Sequence, residues 1–122
     1  MPLAQVSKHQ GGFNVLVSNL EMVPGHRITG HLGIAQGSTV RAKHAGKDIL
    51  SGLKNIVGGE LKAYTELMQE AREEAVQRMQ QEAKSMGANA VLNVRFVTTS
   101  ITMGAAEILA YGSAVTIERV GV

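Results

Sequence analysis

His44 and Asp48 stand four residues apart in the stretch AKHAGKDILSG. On one helix face that spacing would let an imidazole and a carboxylate touch the same ion. Two ligands are too few for a metal centre, so a divalent ion there would need donors from other copies of the chain. An ordinary pair of polar side chains at a helix start is the simpler reading. His26 and His31 fall beside Pro24-Gly25 and within a glycine-rich stretch, as loop and surface histidines do. The chain has no cysteine, which removes disulfides, thiolate ligands for soft metals and thiol nucleophiles. Ser51, Ser85, Ser100 and Ser113 have no base at a recognisable spacing, and no G-x-S-x-G, phosphate-loop or dinucleotide pattern occurs. Glu66, Glu70, Glu73 and Glu74 are close in sequence but read as the solvated face of one helix. Glu107 sits inside the apolar run EILAYG. A buried carboxylate needs a partner, and Arg72 or Arg95 could form a structural ion pair with it. No catalytic residue and no cofactor-binding residue can be assigned from these spacings.

The stretch NIVGGELKAY reads as a joint. Gly58 and Gly59 give the backbone freedom for a sharp change of direction, and Glu60 places a negative charge at the positive start of the following helix. The amides of such a helix start can hold an anion, but a joint without a ligand is the favoured reading. Before it, KDILSGLKNIV has apolar residues at 49, 50, 53, 56 and 57, the spacing of a short helix. After it, Leu61, Tyr64, Met68, Ala71, Ala75, Met79, Ala83 and Met86 form one continuous stripe, with Leu67 beside it. The spacing predicts a helix of about seven turns at 3.6 residues per turn, closed by Gly87. Its outer face carries Glu66, Glu70, Glu74, Arg78 and Glu82, with Glu74 and Arg78 in the favourable order for an ion pair.

The remaining segments read as strands. FNVLVS predicts a strand ending near Asn19, and Pro24-Gly25 marks a loop after it. RITGHLGIAQGSTVRAK alternates loosely and best fits two strands joined around Gln36-Gly37-Ser38, its glycines marking bulges or a close backbone approach. NAVLNVRFV places Leu92, Val94 and Phe96 on one face and Asn93 and Arg95 on the other, and the chain turns near Met103-Gly104. In AEILAYGSAVTIERV both faces are apolar: Ile108, Ala110 and Ala114 on one, Leu109, Tyr111, Val115 and Ile117 on the other. Such a strand is covered on both sides. With one long helix available, the second cover is expected to be another subunit, which makes Ala110, Tyr111 and Val115 candidate interface residues. The order of elements is α+β.

Composition bounds the rest. A chain of 122 residues with 44% hydrophobic and 18% charged residues fits one domain, residues 1–122, with 1–12 flexible or peripheral. Aromatic residues are 3% of the chain and glycines number 14, so the core is built from aliphatic side chains, methionine and alanine. A core that thin favours association with copies of the same chain. Residues 1–58 carry six Lys/Arg against two acids, whereas 59–122 carry six against eight. The basic stretch RAKHAGK lacks interleaved aromatics, which disfavours nucleic acid as a partner. Neither a signal-peptide pattern nor an apolar run of membrane-spanning length occurs, so a soluble, cytoplasmic protein is expected.

Three blocks in this order, DILSGLKNIVGGELKAYTELMQEAREEAVQRM, AKSMGANAVLNVRF and EILAYGSAV, closely resemble the YbjQ-like family of small bacterial and archaeal proteins. LGIAQGSTV, the Gly58-Gly59-Glu60 break, Tyr64, Arg72 and GANAV belong to the same likeness, which extends over about residues 28–118. The resemblance implies a dodecin-subunit-like α+β fold: an antiparallel sheet with one long and one short helix, and strands that pair between subunits in a ring, typically a pentamer. The family carries a heavy-metal-binding label but no established molecular function. The expectation is therefore a non-enzymatic, homo-oligomeric (pentameric) binding or scaffold module. The alternative is a binder of a divalent or heavy metal, or of another small ligand, at subunit interfaces.

Overall fold

The computed structural model describes residues 14–42, 59–102 and 105–121. The expected short helix over 47–57, together with His44, Asp48 and Gly58, lies outside the described residues, as do Met103 and Gly104. In chain order the elements are β1 (Leu16–Val17), β2 (His26–Ala42), α1 (Gly59–Ser85), β3 (Ala90–Thr102) and β4 (Ala105–Arg119). They form an α+β layer pair, with one helix on a four-stranded sheet of order β1-β3-β4-β2. The sheet is mixed, because the two-residue β1 runs parallel to β3 while β4 is antiparallel to both β2 and β3.

β2 is one strand of 17 residues and not the two expected from its glycines. Gly37 does not turn the chain: it stays in register opposite Ala110. Its missing side chain serves the helix instead, since a Cβ there would lie 2.3 Å from the Met79 amide nitrogen and 2.4 Å from the Ala75 carbonyl oxygen. Register shifts after Ile28 and His31 mark the bulges near Gly30 and Gly33.

The expected stripe of α1 is the core. Ala71, Ala75, Met79 and Ala83 are fully buried against Ala35, Ile108, Ala110 and Ala114, and Thr39 donates its hydroxyl to the Ala71 carbonyl at 3.1 Å. The helix ends in a Schellman arrangement, in which Gly87 takes a φ of 92° while Ala88 N–H reaches the Ala83 carbonyl at 3.0 Å. Asn89 then acts as an extra peptide unit, giving Nδ2 to the Ile117 carbonyl at 2.9 Å and receiving Ile117 N–H on Oδ1 at 2.8 Å.

The simple alternation expected of β3 fails at Asn93, whose φ of 57° places a bulge between Leu92 and Arg95. Val91 and Val94 face the helix, whereas Leu92 joins a second cluster with Leu16, Val23, Ala90, Val115 and Ile117 on the far side of the sheet. That cluster corrects the expectation for Val115: at this end the second cover comes from β1 and the turn after it. Ala110 is fully buried under α1, so of the three interface candidates only Tyr111 is partly exposed.

The packing at Gly37 gives a first prediction. Gly37→Ala forces α1 off the sheet and should cost about 1–3 kcal/mol, as overpacked cores do. Gly87→Ala meets open space and should cost about 1–2 kcal/mol, from its positive φ alone. Thermal denaturation followed by circular dichroism compares them, and a Gly37→Ala protein as stable as the wild type would rule out the close approach.

Candidate functional site

The free edge of β2 carries a network of polar and charged groups from α1. In an antiparallel ladder alternate residues turn both backbone groups away from the partner strand, and Gln36 and Ser38 do so here. Glu82 of α1 accepts the Gln36 N–H at 3.0 Å, and Arg78, one turn earlier, donates to the Ser38 carbonyl at 2.6 Å. Arg78 is also ion-paired with Glu74 at 2.9 Å, and Arg41 at the end of β2 approaches the other oxygen of Glu74 at 3.5 Å. Glu74, Arg78 and Glu82 therefore wrap over the edge strand. Glu66 and Glu70 stay exposed. The sequence held the signal: at 100° per residue, 74, 78 and 82 flank the buried row 71, 75, 79 and 83 and do not oppose it.

Beside this network an open cleft of ≈ 600 Å³ is lined by Gln36, Gly37, Ser38, Arg78, Glu82, Glu107 and Leu109. Glu107 is half-buried, as expected. Its expected ion pair does not form among the described residues. Arg72 is exposed on α1, and Arg95 gives its guanidinium to the Val94 carbonyl at 3.0 Å, the Asn19 carbonyl at 3.3 Å and Asn93 Oδ1 at 3.4 Å. The ion pairs among the described residues are Arg27–Glu118, Arg41–Glu74 and Arg78–Glu74.

Gln80, which the periodicity gave no reason to single out, is fully buried. Its Nε2 donates to the Val15 carbonyl at 2.9 Å and ties the chain entering β1 to the helix, while Oε1 has no hydrogen-bond partner among the described residues. Gly59 and Glu60 open α1. The break they were assigned to lies partly outside the described residues.

The cleft brings one guanidinium, two carboxylates and a serine hydroxyl together with no imidazole among its lining residues. No serine among the described residues is hydrogen-bonded to a histidine. His26 Nδ1 is 3.1 Å from the Pro24 carbonyl oxygen, and His31 sits in the first half of β2 opposite Val115. No three His, Cys, Asp or Glu side chains among the described residues come together as a metal-holding group.

The YbjQ family, described as "Putative heavy-metal-binding", matches residues 15–118. This chain belongs to it. The YbjQ chain is 59% identical over 104 residues to a UPF0145 protein of Hahella chejuensis, covering 85% of this chain and 100% of that one. It is 58% identical over 108 residues to a UPF0145 protein of Thermus thermophilus, covering 88% and 95%. A UPF0145 protein of Methanosarcina acetivorans is 53% identical over 103 residues, covering 84% of this chain and 97% of its own. Among solved structures, a protein of unknown function of the DUF74 family from Pediococcus pentosaceus matches with a TM-score of 0.54 at 13% identity, over 85% of this chain and 98% of that one. It shares the fold. Among the described residues the donors of the YbjQ chain do not gather as heavy-metal ligands: thiolates are absent from the sequence, no three His, Asp or Glu side chains come together, and the carboxylates in the cleft lie beside the cation of Arg78. No helix among the described residues is long and apolar enough to cross a membrane.

The edge network gives a second prediction. Arg78→Met keeps the aliphatic stem but uncovers the Ser38 carbonyl. For a pair this exposed the loss of stability should be about 1 kcal/mol or less, whereas an unguarded edge strand promotes association between chains. Urea denaturation and light scattering at raised concentration should record a small loss of stability and a clear rise in aggregation. No change in scattering would mean that Arg78 does not guard the edge.

Proposed function

We propose that this YbjQ chain is a subunit of a homo-oligomer, a ring of five, that acts as a non-enzymatic binding or scaffold module. The observation that carries the reading is the open flank of β3. β1 pairs with β3 only at Ala90 and Val91, with two further backbone bonds to Asn93 and Val94. Beyond them, residues 95–100 are exposed, and among the described residues no strand covers that edge. Phe96 and Val97 stand 48% and 41% exposed.

An edge of this kind is a ready template for association. Where β2 is guarded by Arg78 and Glu82, β3 after Arg95 reads FVTTSIT, with no charge, no proline and a β-branched or aromatic residue at nearly every place. Self-association would cover it. Neighbouring copies would also add apolar cover to a core in which alanine is frequent.

Native mass spectrometry tests this reading. The wild type should run as a multimer of the 12.9 kDa chain, and Val97→Lys, which sets a charge on the open flank, should run mainly as a monomer. A monomeric wild type would refute the proposal. Metal retained at a fixed ratio to the subunits would favour instead a metal holder whose donors come from more than one copy.

A further inference from the structure

We draw no further inference here: the strongest candidate, the open cleft lined by Gln36, Ser38, Arg78, Glu82, Glu107 and Leu109 beside the outer edge of β2, belongs to the site already described, where Arg78 shares the cleft with both carboxylates and no fully buried, unpartnered side chain is among the lining residues to mark a ligand.

Discussion

The backbone contact between Gly37 and the Ala75–Met79 turn of α1 sets the geometry on which the other contacts depend. With no side chain on the strand and alanines at 71, 75 and 83 on the helix, the two backbones approach until helix peptide atoms occupy the space a Cβ would need. At that separation the flanking rows of α1 fall over the rims of the strand and not into solvent. Arg78 and Glu82 then reach the backbone of Ser38 and Gln36, while Gln80 on the other flank reaches Val15. A helix held one side chain further out would place none of these groups within hydrogen-bonding distance, so the edge guard and the β1 tether both follow from one glycine and a row of alanines.

The seating of α1 also explains why the two edges of the sheet differ so much. The helix lies across β2 and β4 and barely reaches β3. β2 therefore has a row of long charged side chains beside it, and the Gln36 N–H and the Ser38 carbonyl on its outer edge find partners on α1. Among the described residues the outer edge of β3 has only the two residues of β1 and the turn that follows, and these stop at Val94. The cost of unpaired backbone groups falls on water along the rest of β3, and the exposed Phe96 and Val97 add apolar surface to the same flank.

Much of this was legible in the sequence where one residue type has one consequence. The 71, 75, 79, 83 row gave α1 its length and buried face, and Gly87 gave its end. The Glu74–Arg78 pair and the half-burial of Glu107 followed from spacing and from the apolar run. Legibility failed where a residue has two uses. Gly37 could have been a turn or a place of contact, and the choice depended on a helix more than thirty residues away. Asn93 looked like an ordinary outward residue of an alternating strand, but it takes a positive φ and flips the pattern, so that Leu92 and Val94 part company. The ion pair expected of Glu107 failed because Arg95, after that bulge, turns to the Asn19 carbonyl of the turn after β1 and to the Val94 carbonyl of its own strand. Ala110 and Val115 were sorted to an interface because β4 is apolar on both faces, when a nearby turn of the same chain supplies much of the second cover. The match to the YbjQ family was carried by motifs that record these backbone constraints, which is why it specifies a fold more sharply than a reaction.

A geometric limit follows from this core. An α-helix with its side chains is about 10–12 Å across, and strands lie about 4.8 Å apart, so one helix covers roughly two strands. This sheet has three long ones. Seating α1 on the glycine of β2 commits it to β2 and β4, and the small residues that allow the close approach rule out the long side chains that might have reached further. β3 is then left with an apolar flank that the described part of a single copy does not cover. Moving the helix toward β3 would expose Thr39, Ala35 and the edge of β2, exchanging one open flank for another. Among the described residues the surplus strand is therefore inherent in placing α1 on this sheet.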